Sequence, residues 1–232
     1  ADMDPHLNGQ GIPMNTTIDV RPGDRLGFRG LRSGCRAYIA FAGGIAVPPV
    51  MGSRSTYLRA GLGGFHGRAL MPGDELPLGE LESLSPPGRF SNGSARRKPR
   101  LKKIPEGLIP EYKHEQTIRI ISGPEAHYFE IAGLRSFLST EYTVTAQSDR
   151  MGYRLTGEPI KHREGMTNII SAGISMGTVQ VPGDGQPIIL MADRQTSGGY
   201  ARIANVITAD LTLLAQMRPG DKVRFKETTL NI

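Results

Sequence analysis

Residues 177–200 contain the densest group of side chains that could do chemistry in this sequence. Asp193-Arg194-Gln195-Thr196 places a carboxylate, a guanidinium, an amide and a hydroxyl directly after the apolar segment 187–192. An amide can pair with a planar amide or urea, a guanidinium can hold a carboxylate, and a carboxylate can accept a proton. The pattern favours a strand that ends in a small-molecule pocket. A structural corner, in which Asp193 pairs with Arg194 or another arginine, explains the same residues equally well.

The elements around these residues are predicted to be short strands joined by turns. Val179 and Val181 flank Gln180 in strand-like alternation, residues 182–185 form a turn, and the apolar segment that follows reads as a strand buried on both faces. Residues 197–199, Ser-Gly-Gly, are predicted to form a flexible bend that lets the backbone approach a ligand. A strand end would then deliver the polar groups into the pocket.

The sequence Pro-Gly-Asp occurs four times, and at three positions it precedes a pair of apolar residues in alternation. The turns that end at Asp24, Asp74 and Asp221 are each predicted to lead into a strand. The fourth turn continues into Gly-Gln-Pro, so Asp184 remains a pocket candidate as well as a turn former.

The composition favours a mainly β protein with few short helices. The 232 residues include 30 Gly and 17 Pro, and many short apolar segments lie between turn signals. A strand is predicted over residues 36–42, a helix of one or two turns over 52–59, and a longer helix that opens at Gly123-Pro124-Glu125. A short helix near the C-terminus is expected to be capped by Thr208 or Asp210.

Several functional classes are disfavoured. Cys35 is the single cysteine, so an internal disulfide is excluded, and no Cys and His residues stand at zinc-ligand spacing. We therefore predict no metal site. The sequence shows neither a signal peptide nor an apolar run of roughly 20 residues, so we expect a soluble, cytoplasmic protein with no membrane partner.

The net charge of +6 arises largely in residues 96–103, where six of the eight side chains are basic. Such a patch attracts phosphates. However, no aromatic residues interleave with it, and no nucleic-acid-binding motif surrounds it. A solvated linker is favoured, and no nucleic-acid partner is expected. The surrounding residues 83–110 are rich in Ser, Pro and Gly, which indicates a domain boundary.

Several phrases of the sequence together resemble one family. They are Gly43-Gly44-Ile45, Met51-Gly52-Ser53-Arg54-Ser55-Thr56, Ser148-Asp149-Arg150-Met151-Gly152, Gln180-Val181-Pro182-Gly183-Asp184-Gly185-Gln186-Pro187 and Asp193-Arg194-Gln195-Thr196-Ser197-Gly198-Gly199-Tyr200. Through nearly its whole length the chain resembles the KipI-antagonist (KipA) family, also described as the C component of 5-oxoprolinase, the second component of allophanate hydrolase and the biotin-dependent carboxyltransferase domain.

The resemblance implies two cyclophilin-like β-barrel domains. We expect the first over residues 1–88, a basic linker over 89–110 and the second domain over 111–232. Members of the family carry a further N-terminal portion ahead of the position that matches Ala1. The first barrel is therefore expected to be incomplete.

The resemblance also implies work within a complex of the 5-oxoprolinase, allophanate-hydrolase or carboxyltransferase type, acting on a cyclic amide or urea-like group. The implied partners are a KipI-like protein, which is the B component of 5-oxoprolinase, a third protein that resembles its A component, and a small amide substrate. The sequence has no biotin-attachment motif and no Gly-rich ATP site. No cofactor is therefore expected on this chain, and ATP or carboxybiotin would involve other proteins of the complex. The alternative is a non-catalytic regulatory protein that binds and antagonises a KipI-like kinase inhibitor.

On the enzymatic hypothesis, Asp193 accepts a proton, Gln180 and Gln195 pair with the amide, and Tyr200 orients the substrate. Arg150 or Arg54 would hold a carboxylate. The catalytic candidates are Asp193, Gln195 and Tyr200, and the substrate-binding candidates are Gln180, Gln186, Thr196, Ser148, Arg150, Ser53 and Arg54.

Overall fold

The computed structural model describes residues 1–80 and 103–229. The chain divides into two compact units, one made of Ala1–Ala37 with Leu101–Ile232 and the other of Tyr38–Arg100. The predicted division into residues 1–88, 89–110 and 111–232 stays a prediction, because most of the expected linker lies outside the described residues. The basic segment 96–103 also lies there, apart from its last residue.

A closed β-barrel of seven strands forms the centre of the larger unit. The strands of the chain are β1 (Pro5–Leu7), β2 (Gln10–Gly11), β3 (Leu26–Phe28), β4 (Glu115–Ser122), β5 (Glu141–Val144), β6 (Gly152–Thr156), β7 (Asn168–Gly173), β8 (Thr178–Val181), β9 (Ile188–Leu190), β10 (Ser197–Val206) and β11 (Lys222–Glu227). The barrel runs β4, β11, β5, β6, β9, β8, β10 and closes by pairing β10 with β4, while β7 pairs with β10 as an eighth strand. The prediction of a mainly β protein is confirmed.

Alternation of side chains fills the barrel. In β11, Val223 and Phe225 are buried, whereas the residue between them is exposed. The ring of Phe225 lies 4.5 Å from that of Phe137, centroid to centroid. The predicted turn before this strand is also present: the Asp221 amide donates to the Arg218 carbonyl at 3.0 Å, and the Asp221 carboxylate accepts from the Arg218 amide at 2.8 Å. One carboxylate thus closes the turn from which the strand starts.

Two α-helices pack on the barrel, α1 (Ile131–Ser139) and α2 (Leu211–Leu214). The helix predicted to open at Gly123-Pro124-Glu125 begins later, since those residues lead into a single 3-10 turn, Ala126–Tyr128. Asp210 stands at the N-cap of α2 as predicted, but its side chain makes no capping hydrogen bond. Its carboxylate instead accepts hydrogen bonds from the backbone amide and the guanidinium of Arg119, each at 2.7 Å.

The N-terminal segment of the larger unit is attached to the barrel by side chains. The amides of Cys35 and Arg36 both donate to the Gln216 side-chain oxygen at 2.9 Å. The Arg36 guanidinium also donates to the buried Tyr153 hydroxyl at 2.6 Å. Burial raises the pKa of Tyr153 despite this contact. These bonds explain why residues early in the sequence belong to the same unit as the barrel.

The described residues of the second unit, 38–80, contain no strand of two or more residues. They are joined by the isolated bridges Ile45–Leu78, Val50–Ser53 and Tyr57–Leu62 and contain one 3-10 turn, Leu58–Ala60. The strand predicted over residues 36–42 is therefore wrong, and the helix predicted over 52–59 is reduced to that turn. Glycines at which a Cβ would overlap neighbouring backbone hold this segment in irregular conformations.

Among the residues that the structure describes, no helix has the length and apolar character needed to cross a membrane.

Candidate functional site

A polar cleft of about 490 Å³ opens where β7 ends and where β8 and β10 run side by side. Its lining combines hydroxyl, amide and guanidinium groups with exposed backbone. The lining residues are Pro124, Gly173, Ile174, Ser175, Thr178, Arg194, Thr196, Arg202 and Asn205. Of the candidates predicted from the sequence, Thr196 lines this cleft. Most of its polar groups were therefore missed.

A β-bulge explains why two residues of β10 were missed. In strict alternation, Arg202 and Asn205 would point to opposite faces. In the structure Arg202 pairs with Gln180 and Asn205 with Thr178, because the register between β10 and β8 shifts by one residue at Ile203. Both side chains therefore line the same cleft. The bulge depends on the partner strand, so a period-two reading of the sequence alone could not find it.

Hydroxyl and amide groups form a connected network on one wall of the cleft. The buried Thr178 hydroxyl donates to the Asn205 side-chain oxygen at 2.8 Å. The Ser175 hydroxyl lies 3.3 Å from the same oxygen and 3.0 Å from the Thr178 hydroxyl. With its oxygen used in this way, Asn205 has its amino group available as a hydrogen-bond donor.

Arg194 lines the cleft with its guanidinium anchored on the protein backbone. Its Nε donates to the Ile174 carbonyl at 3.1 Å, and its Nη1 lies 3.5 Å from the Met191 carbonyl. Within residues 1–80 and 103–229 no carboxylate pairs with this guanidinium. Arg194 lies inside the stretch that the sequence singled out, but the candidates chosen there were its neighbours.

Arg202, the second arginine of the lining, is paired. Its Nε and Nη2 donate to the two carboxylate oxygens of Glu125, each at 2.6 Å, and its Nη1 donates to the Gly173 carbonyl at 2.9 Å. The hydrogen bonds from the guanidinium lower the pKa of Glu125, and the same contact raises the pKa of Arg202. The pair therefore carries both charges near neutral pH.

Asp193 forms the structural corner that the sequence left as an alternative. Its carboxylate oxygens accept hydrogen bonds from Nε and Nη2 of Arg150, at 2.7 and 2.9 Å, and its amide donates to the Arg150 carbonyl at 2.8 Å. The partner is thus the other arginine and not Arg194. This corner joins the loop before β6 to the segment that carries Arg194 and Thr196 into the cleft.

Gln180, Gln195 and Tyr200 surround Gly198. A Cβ at Gly198 would lie 3.1 Å from the Gln180 side-chain nitrogen and 3.5 Å from that of Gln195, so the structure brings these two predicted amides together. The Gln180 nitrogen lies 3.4 Å from the Tyr200 carbonyl, while the Tyr200 side chain is exposed. Residues 197–199, predicted to be a flexible bend, instead begin β10 and pair with β7; that prediction was wrong.

Two further candidates pair with the backbone. The side-chain amide of Gln186 accepts from the Gly157 amide at 2.9 Å and donates to its carbonyl at 3.1 Å. The Ser148 hydroxyl accepts from the Arg154 amide at 3.0 Å and donates to its carbonyl at 3.2 Å. Each side chain thus substitutes for a strand neighbour, and neither lines the cleft.

Ser53 and Arg54 belong to the second unit. Both residues are exposed. The Arg54 Nε donates to the Val47 carbonyl at 3.0 Å, and the Ser53 hydroxyl accepts from the Ser55 amide at 3.1 Å. The contacts of both side chains are therefore with the backbone of their own unit.

Residues 1–227 match a sequence model of the family described as the carboxyltransferase domain, subdomain A and B. The chain belongs to this family. Two related carboxyltransferase-domain proteins are the C components of the 5-oxoprolinases of Escherichia coli, 38% identical over 99% of this chain, and of Haemophilus influenzae, 36% identical over 91%. This chain covers 68% and 62% of those two proteins.

The family fold is also present in solved structures. The Kluyveromyces lactis urea amidolyase superposes with a TM-score of 0.85 at 30% identity, over 97% of this chain and 14% of that protein. The carboxyltransferase-domain fold seen here therefore also occurs as a small part of a much larger enzyme.

Proposed function

We propose that this chain is one component of a complex that acts on a cyclic amide or urea-like group, and that the polar cleft holds this small molecule. The observation that carries the proposal is the cleft lining, where a guanidinium without a carboxylate partner among the described residues stands with hydroxyl and amide groups. Membership of the carboxyltransferase-domain family and similarity to the C components of two 5-oxoprolinases support it.

The lining fits the chemical groups that such a complex handles. 5-Oxoproline joins a carboxylate to a lactam, and carboxybiotin joins a carboxylate to a ureido ring. Arg194 can hold a carboxylate in fork geometry, while Asn205 and Thr196 can donate to and accept from an amide. ATP or carboxybiotin would be supplied by other proteins of the complex, and the proposed partners are a KipI-like protein and a protein that resembles the A component of 5-oxoprolinase.

Asp193 is the candidate proton acceptor of this proposal, with Gln195 and Tyr200 beside it. Its bidentate contact with Arg150 adds a second role, because the same carboxylate holds the segment that leads to Arg194. Replacing Asp193 should therefore reduce both turnover and the order of the cleft.

The test is ATP-dependent hydrolysis of 5-oxoproline by the chain assembled with these two partners. Thr196→Val removes a hydroxyl from the cleft at nearly constant shape. The loss of one neutral hydrogen bond predicts about a 2- to 10-fold fall in kcat/KM. Thr117→Val is the matched control, because Thr117 is exposed on β4 and does not line the cleft.

Asp193→Asn and Gln195→Ala test the catalytic assignment in the same assay. Turnover at the wild-type level in both variants would show that neither residue takes part, and an unchanged Thr196→Val would remove the cleft from the proposal. The regulatory alternative predicts tight binding of the KipI-like protein that none of these substitutions alters. The polar lining favours the enzymatic function.

A further inference from the structure

The cleft contains two arginines that differ in charge compensation. Arg202 donates to both oxygens of Glu125, whose side chain is 13% exposed. Arg194 donates to backbone carbonyls, and in the described part of the chain no carboxylate pairs with it. No other charged side chain lines the cleft among the described residues. The lining therefore presents one uncompensated positive charge.

The two guanidiniums are anchored on consecutive carbonyls. Arg202 donates to the carbonyl of Gly173 at 2.9 Å, and Arg194 donates to that of Ile174 at 3.1 Å. An anchored guanidinium loses less side-chain entropy when it binds a ligand than a mobile one does. Because its anchor uses Nε, Arg194 keeps its Nη2 group for a further acceptor.

We propose that Arg194 binds the carboxylate of the ligand, and that Glu125 limits the cleft to a single anionic group by neutralising Arg202. The expected ligands are small monocarboxylates that carry a planar amide or urea. The lactam or ureido part of this specificity rests on the function proposed above, whereas the carboxylate part rests on the two arginines alone.

The first experiment measures equilibrium binding to the purified chain by titration calorimetry or NMR. The probes are 5-oxoproline, 2-pyrrolidinone, which has the lactam without the carboxylate, and acetate, which has the carboxylate alone. Arg194→Gln should weaken 5-oxoproline binding about 10- to 100-fold, as expected for loss of a charge-assisted contact, and change 2-pyrrolidinone binding by less than about 2-fold. Arg194→Lys keeps the charge but not the fork, so its affinity should be intermediate.

The second experiment releases the other arginine. Glu125→Gln removes the carboxylate from Arg202, and the cleft should then bind malonate, which has two carboxylates, about 5-fold more tightly than the wild type does. Glu141→Gln is the matched control. Glu141 pairs with Arg224 and Lys222 at 2.8 and 2.6 Å outside the cleft, so its replacement changes the net charge equally without changing the lining.

The outcomes separate this inference from the proposed function. Acetate binding that depends on Arg194, without selective binding of 5-oxoproline, would support the inference and contradict the lactam substrate. Turnover of 5-oxoproline that is unaffected by Arg194→Gln would contradict the inference and leave the proposed function standing. An equal gain in malonate affinity for Glu125→Gln and Glu141→Gln would overturn the role of Glu125. Thermal unfolding of each variant identifies any change caused by loss of fold.

Discussion

Gly198→Ala should destabilise the protein and distort the cleft. The added Cβ would lie 2.5 Å from the Cδ1 atom of Ile174, which lines the cleft and is 7% exposed. Carbon atoms in contact are normally separated by about 3.5–4.0 Å, so Ile174 must move by about 1 Å. Overpacking of this kind costs about 1–3 kcal/mol, whereas removing a strand glycine gains roughly 0.5–1 kcal/mol. The net expected loss is about 0.5–2 kcal/mol.

Gly199→Ala is the control for this substitution. Gly199 is the next residue of β10, neither glycine has a positive φ, and the atom nearest to its added Cβ is the Ile169 carbonyl oxygen at 3.3 Å. The gain in chain entropy is the same, and the required displacement is a few tenths of an ångström. We expect the two variants to differ by about 1–2 kcal/mol in free energy of unfolding.

Urea unfolding at 25 °C measures the difference between these variants as a shift in midpoint at constant slope. Acetate titration of both variants then reports on the cleft, because Gly198→Ala displaces one of its walls. Equal stability of the two variants, or a Gly198→Ala variant more stable than the wild type, would refute the assigned contact between Gly198 and Ile174.

Two further predictions concern the barrel and its helix. Gly133→Ala in α1 should destabilise the protein by about 1–3 kcal/mol in urea unfolding, although alanine is the better helix former, because its Cβ would lie 2.6 Å from the Lys161 carbonyl oxygen; a gain in stability would exclude this close approach. Burial raises the pKa of Tyr142 to about 12, so its contribution to stability is complete below pH 10 and is lost as the pH rises through 12. Tyr142→Phe should therefore reduce the fall in unfolding free energy between pH 9 and 11.5, and an unchanged pH dependence would show that Tyr142 ionises normally in the folded protein.

Elements with clear local signals were predicted well. Val223 and Phe225 alternate after a Pro-Gly-Asp turn, and both are buried in a barrel strand. The turn is specified locally, because Asp221 bonds to Arg218 within it and Gly220 has a φ of 93°, which favours glycine. The same turn signal at Asp74 is followed by no strand, because residues 76–80 are joined to the described chain by a single bridge.

The candidate site was located more accurately than its residues were identified. Residues 193–196 do reach the cleft, but Arg194 and Thr196 line it, whereas Asp193 binds Arg150. Which of two arginines a carboxylate binds depends on the distance between loops that lie 43 residues apart. Sequence spacing contains no information about that distance.

By itself, the sequence determined the mainly β character, the Pro-Gly-Asp turns and the stretch in which polar groups follow a buried strand, because turn chemistry and side-chain alternation are local properties. Tertiary structure alone decided which polar groups meet. The bulge at Ile203 turns Arg202 and Asn205 to one face, and Glu125 compensates Arg202 while Arg194 retains its charge. These outcomes depend on strand register and on contacts between distant residues.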